Sequence, residues 1–167
     1  MPTRMTFDQE LRFYHSIGRL LDRWGYVDSL ISQICKSLIE DMGHPAPKRV
    51  PWGLMERLAY AMRCFDADAR FTDAKTQIME MFDAVKQIDD HRGFIVHGCK
   101  TEFFPSQMAV QFTKLDRNEA KTAYVQLSTT ITFDELARLA DATQHVVAGL
   151  ITVGKACEAG NTDRAEK

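Results

Sequence analysis

The stretch DDHRGFIVHGC, residues 89–99, decides how the middle of the chain folds, because a helical pattern ends in it and an alternating pattern follows. Before it, apolar residues recur every three or four positions, which predicts a long helix from about Thr72 to about His97. The apolar stripe of this helix consists of Ile78, Met81, Phe82, Val85 and Ile88. At about 100° per residue, Arg92 lies in the centre of the stripe and Asp89 on its edge. A guanidinium buried there needs a partner.

Arg92 and His97 allow two explanations. In the first, Arg92 forms an ion pair with Asp89, and His97 with Gly98 ends the helix, where a cation suits the helix dipole. In the second, both side chains serve a site that cleaves a phosphodiester, because imidazole transfers protons near neutral pH and guanidinium binds phosphate oxygens. Five residues correspond to about 7.5 Å along a helix and about 140° around it. A joint site therefore requires a helix that ends or distorts near Gly93, or an Arg92 that reaches along the axis.

Outward from this stretch, the sequence predicts further helices. Helical spacing indicates two helices, over about 7–24 and 27–38, and Gly25 is the expected stop between them. The segment 43–51 contains three prolines and is predicted to be a loop. A third helix is expected from Trp52 to Phe65, because its Met and aromatic residues recur at helical spacing.

Between the long helix and the last helix, apolar residues alternate. This pattern predicts a β-hairpin at about 107–127, which we expect to be peripheral to the core. Thr132 and Glu135 then form a capping box that opens the last helix. The expected fold class is mainly α: a helical bundle of about five helices with a β-hairpin inserted before the last helix. A single domain over 1–160 and a frayed polar tail at 161–167 complete the prediction.

Composition narrows the classes of function. The net charge of −2 argues against a protein that coats DNA, although residues 91–127 hold five basic and three acidic side chains, or +2, and the remainder is −4. The four cysteines form no CxxC pair, so we expect no metal and no cofactor. The first residues hold no apolar signal segment, and the longest apolar run near the C-terminus is too short to span a bilayer. We therefore expect a cytoplasmic protein with no membrane segment.

The residues Arg92-Gly-Phe-Ile-Val-His97-Gly at the end of a bundle helix resemble the R-x4-6-H motif of the HEPN superfamily, in its bacterial RNxxVHG form. The resemblance covers the order of elements from about 72 to 155, and only Arg92 and His97 carry over as motif residues. It implies a homodimer of helical bundles in which the Arg and His of both protomers line one cleft. It also implies metal-independent cleavage of RNA, often in toxins or phage defence. The residue after the Arg is usually polar in this superfamily and is Gly93 here.

Two hypotheses follow. The first is a metal-independent endoribonuclease that cuts RNA by transesterification, with Arg92 and His97 as the catalytic residues and with support from Asp89, Asp90 and His91. Basic side chains at or near the hairpin are candidates to bind the RNA backbone, although a solvated hairpin tip is the other explanation of most of them: Lys100, Lys114, Arg117 and Lys121. The alternative hypothesis is a non-catalytic HEPN-like dimeric module that binds RNA or a cognate protein partner, which Gly93 and the acidic balance favour.

Overall fold

The computed structural model describes residues 4–49, 53–118, 120 and 122–159. In these ranges the prediction of a mainly α fold is confirmed, and no described helix is long and apolar enough to cross a membrane. The described residues form four α-helices and one three-stranded antiparallel sheet, together with short 3₁₀ turns at Ala69–Phe71 and Pro105–Gln107. In chain order these are α1 (Phe7–Glu40), α2 (Leu54–Ala67), α3 (Lys75–His97), β1 (Cys99–Phe104), β2 (Ala109–Arg117), β3 (Tyr124–Thr132) and α4 (Phe133–Ala159).

The prediction of two helices separated at Gly25 is wrong, because α1 is one continuous helix through that residue. Buried side chains continue at helical spacing on both sides of Gly25, at Trp24, Val27 and Ile31. A glycine inside a helix costs about 1 kcal/mol, whereas each such buried side chain contributes about 1.5–3 kcal/mol. Burial of the stripe therefore outweighs the helix-breaking tendency of Gly25. The expected five helices become four among the described residues.

The chain folds as two compact units, and the first comprises the described residues up to Asp22 together with 87–142. It contains the N-terminal part of α1, the end of α3, the whole sheet and the start of α4. Its core is aromatic. The centre of the Phe13 ring lies 5.5 Å from the centre of the Phe133 ring and 6.1 Å from that of the Phe112 ring. These rings are buried, so α1, β2 and α4 share one core in this unit.

The predicted hairpin is present as β2 and β3, which pair from Ala109 with Thr132 to Arg117 with Tyr124. It is not peripheral, because Phe112 and its neighbours at the start of β2 are buried in the core of the unit. The strand β1 was not predicted; it pairs antiparallel with β2 across a bulge. The capping box is confirmed, since the Thr132 N–H donates to Glu135 Oε2 at 2.7 Å and the Glu135 N–H donates to Thr132 Oγ1 at 3.1 Å.

The second unit comprises residues 23–86 and the described residues from Thr143. Its core holds an aromatic cluster in which the Phe65 ring lies 4.7 Å from Phe71 and 5.9 Å from Phe82. The predicted third helix is present as α2, and Trp52, its expected first residue, lies outside the described residues, as do the tail residues 161–167. The long helix α3 begins three residues after the predicted start and ends at His97 as predicted.

Candidate functional site at the end of α3

The end of α3 is fixed by Gly98. Its N–H donates to the Phe94 carbonyl at 2.9 Å, which completes the last helical turn. A Cβ at position 98 would lie 2.3 Å from the same Phe94 oxygen and 3.3 Å from the carbonyl oxygen of Thr113 on β2. Real β-carbons do not approach a backbone atom so closely, so the site requires glycine. The helix therefore ends after His97, and β1 begins at once.

Arg92 has the partner that the first explanation expects. Its Nε donates to Asp89 Oδ1 at 3.0 Å, and the two side chains are 24% and 23% exposed. This half-buried ion pair, three residues apart on α3, compensates the charge of Arg92 on the apolar stripe. It also fixes the direction of the guanidinium, which points back along the helix towards the turn of Asp89.

The His97 side chain is exposed, and within the described ranges its imidazole forms no hydrogen bond or ion pair. Because α3 is regular through Gly93, Arg92 and His97 project about 140° apart and are separated by about 7.5 Å along the axis. The distortion that a joint site within one chain would use is therefore absent. One chain alone does not bring these two side chains to the same face of α3.

Lys114 lies beside α3 and not at the hairpin tip, where the sequence placed it. It belongs to β2, and its Nζ lies 4.6 Å from the centre of the Phe94 ring and 3.3 Å from Asp116 Oδ2. Its Nζ is also 3.7 Å from the point where a Cβ of Gly93 would stand. The Lys114 side chain is only 19% exposed. The contacts are those of a cation over an aromatic ring that also pairs with a carboxylate.

Sequence reasoning missed this approach, although the strand pattern contains a signal for it. Alternate residues of a strand share a face, so Lys114 lies on the same face of β2 as the buried Val110 and Phe112. That face is the one that packs on helices. The sequence does not show which helix this face of β2 packs against, because β2 and α3 meet only through tertiary packing.

The other candidate residues do not join Arg92 or His97. Asp90 and His91 are exposed, and the His91 Nδ1 lies 2.9 Å from the Gln87 carbonyl oxygen, one turn back along α3. Lys100 is directed towards α1, with its Nζ 5.6 Å from the centre of the Tyr14 ring. Arg117 is exposed at the end of β2, and Lys121 lies outside the described residues. Of the candidate RNA-binding cations, Lys100 thus lies against α1 and Lys114 against α3.

Over the residues that the structure describes, no group of three or more His, Cys, Asp and Glu side chains is arranged to hold a metal ion. Comparison with known proteins gives no match to any family model, any curated protein or any solved structure. Function is therefore inferred from the chemistry at the end of α3.

Proposed function

We propose that the protein is a HEPN-type, metal-independent endoribonuclease in which His97 transfers the proton. The exposed imidazole of His97 carries this proposal: it has no hydrogen-bond or ion-pair partner among the described residues, and it ends α3 five residues after an oriented Arg92, as in the R-x4-6-H arrangement. The order of α3, antiparallel strands and a capped α4 supports a HEPN-like bundle. A role as a toxin or in phage defence is part of the same proposal.

The reaction needs only what these side chains supply. His97 accepts the proton of a ribose 2′-hydroxyl, and that oxygen attacks the adjacent phosphorus. The bond from phosphorus to the 5′-oxygen breaks, this leaving oxygen takes a proton from solvent water, and the imidazolium of His97 returns its proton to the solvent. The products are a 2′,3′-cyclic phosphate and a 5′-hydroxyl. Arg92 stabilises the crowded phosphorane with its forked donors, so no step uses a metal ion.

The proposal includes a homodimer. Because Arg92 and His97 project in different directions from one α3, a two-fold pairing of chains offers the simplest way to place Arg92 of one protomer against His97 of the partner subunit. We propose α3 and α4 as the helices that form this dimer. The cleft between the protomers would then hold the scissile phosphate.

A second candidate function is a non-catalytic HEPN-like dimer that binds RNA or a cognate protein. The contact between Arg92 and Asp89 favours it, because a guanidinium already engaged by a carboxylate is less available to a phosphorane. Gly93 favours it as well, since it contributes no polar side chain after the Arg. Cleavage itself separates the two candidates.

The test is single-turnover cleavage of a mixed RNA pool in the presence of EDTA. We expect wild type to cleave, and His97→Ala to lose about 10²–10⁴ in rate, the usual contribution of proton transfer. His15→Ala is the matched control, because the His15 side chain is also exposed and forms no hydrogen bond or ion pair with the described residues. RNA bound but uncut by wild type would favour the second candidate. Equal cleavage by wild type and His97→Ala would exclude His97 as the reacting group.

A further inference from the structure

One face of α3 carries Asp89 and His97 and is approached by the ammonium of Lys114 from β2, an arrangement that the spacing of Arg92 and His97 alone does not predict. Asp89, Gly93 and His97 are each four residues apart, so they follow one another along the same face, with a drift of about 40° per step. Arg92 reaches back to the first of them through its bond to Asp89. The ammonium of Lys114 lies against the second, at Gly93. His97 ends the row, one helical turn further on.

Gly93 makes room for this ammonium. A methyl group at position 93 would make an ordinary contact with Lys114 Nζ at 3.7 Å. Atoms beyond such a methyl group would have to share the remaining space with the ammonium, because 3.7 Å is already van der Waals contact. The glycine thus places a cation from β2 on the His97 face of α3, at the position where a polar side chain would otherwise project from the helix.

The Lys114 ammonium pairs with a carboxylate that a phosphate ligand can displace. An ammonium has three donors, and within the described part of the chain the Lys114 ammonium pairs with the carboxylate of Asp116, whose side chain is half exposed. The Arg117 backbone N–H, and then Lys114, hold the pKa of Asp116 below its usual range, so this carboxylate is charged at neutral pH. The carboxylate of this ion pair faces solvent, where water and salt weaken its hold on the ammonium. A phosphate oxygen therefore competes with Asp116 for Lys114 at little cost.

We propose that Lys114 is the cation that holds an RNA phosphate beside His97, and that Asp116 occupies its ammonium until the phosphate displaces it. This inference rests on the proposed function of His97 and names a residue and a competing carboxylate for the same site. Arg92 of the same chain is held at Asp89 on the preceding turn, so the guanidinium that acts on this phosphate comes from the other protomer.

The test compares two substitutions that move binding in opposite directions. Lys114→Met keeps an apolar chain over the Phe94 ring and removes the charge, so it weakens binding of a short single-stranded RNA and lowers the salt slope of binding by about one unit. Asp116→Asn removes the competitor and tightens binding of the same RNA. Lys86→Met is the matched control, since Lys86 is a cation of α3 that pairs with Asp83 on its own helix.

A second readout follows the site itself. Inorganic phosphate is titrated into the labelled protein while the NMR signal of the His97 ring is recorded. We expect phosphate to shift the His97 signal saturably in wild type, less in Lys114→Met and more in Asp116→Asn. The control Lys86→Met should show the same shift as wild type. Lys114→Arg restores the wild-type response, because it returns the charge. A purely structural Lys114 predicts another result: Asp116→Asn would weaken binding or leave it unchanged.

The outcomes separate this inference from the proposed function. If wild type cleaves RNA, His97→Ala does not, and Lys114→Met binds and cleaves as wild type, then Lys114 is excluded and the function stands. If phosphate shifts the His97 signal through Lys114 and no RNA is cut, the phosphate site stands and the nuclease falls. If wild type binds neither RNA nor phosphate, both are overturned. Asp116→Asn is a surface substitution, so its result decides even if Lys114→Met fails to fold.

Discussion

The Asp68 carboxylate in the second unit is buried and bonds to the side chains of His44 and Arg70. Its Oδ2 is 2.9 Å from His44 Nε2 and 2.6 Å from Arg70 Nη2, and its side chain is 8% exposed. The hydrogen bonds from Arg70, ahead of that from His44, hold the pKa of Asp68 well below its usual range. The charged form therefore joins the loop after α1 to the turn before α3.

We predict that Asp68→Asn lowers the free energy of unfolding by about 2 kcal/mol at neutral pH, the usual value of charge-assisted hydrogen bonds. Because the folded-state pKa lies below the unfolded-state value near 3.9, this stabilisation is complete above that value. It is lost as the pH falls below it. Urea unfolding at neutral pH and near pH 3 measures both effects, and the difference between the variants should shrink at the lower pH.

Asp66→Asn is the control for this prediction. Asp66 also pairs with a cation, Lys75, but its side chain is 65% exposed. Exposed pairs contribute about 0–1 kcal/mol, so this variant should unfold close to wild type. An equal loss of stability in both variants would mean that the burial of Asp68 does not matter.

At the scale of elements, the Thr132–Glu135 capping box joins β3 to α4. Thr132→Ala removes the hydroxyl that accepts the Glu135 N–H, so we predict a loss of about 1 kcal/mol in the free energy of unfolding. The measurement is again urea unfolding. Thr130→Ala, an exposed threonine two residues earlier on β3, is the control. If both threonine variants lose the same stability, β propensity and not the cap is responsible.

The elements that the sequence predicted correctly are those whose signals are local. The capping box of Thr132 and Glu135, the end of α3 at His97 and the pairing of β2 with β3 are each specified by residues close in the chain. Gly25 misled the prediction, because its local preference is overridden by buried residues on either side. β1 was missed because most of Cys99–Phe104 is exposed, which leaves little hydrophobic alternation to detect.

The candidate site divides in the same way. The contact between Arg92 and Asp89 was foreseen as one of two explanations, since residues three apart on a helix are neighbours. Lys114 was placed in the hairpin loop, either as a candidate to bind the RNA backbone or as a solvated side chain, and its approach to Gly93 depends on how β2 packs against α3. No rule of spacing gives that distance, because the two residues are far apart in the chain.

At the scale of the whole molecule, we predict a homodimer of about twice the chain mass of 19.0 kDa. Light scattering over a dilution series measures this mass. A single species at the mass of one chain would remove the shared cleft that the nuclease proposal uses.

Complementation tests whether the cleft is shared. Neither Arg92→Ala nor His97→Ala alone should cleave RNA.

A mixture of the two variants should recover activity if Arg92 and His97 act across the dimer. Random exchange makes about half of the dimers mixed, and each mixed dimer keeps one intact Arg92–His97 pair of the two that the cleft contains, so about a quarter of wild-type activity is expected. If both groups act from the same chain, no Arg92–His97 pair is intact and the mixture stays inactive. The unmixed variants at the same total concentration are the control.

Gly98 has a consequence for any mutational scan of this chain. Every other amino acid there puts a carbon 2.3 Å from the Phe94 oxygen, so all substitutions at 98 should reduce cellular abundance alike, whatever their chemistry. The neighbouring His97 is exposed, so its substitutions should leave abundance unchanged while altering activity. Two adjacent codons thus provide an internal calibration, one reporting the integrity of the fold and the other the chemistry that the fold supports.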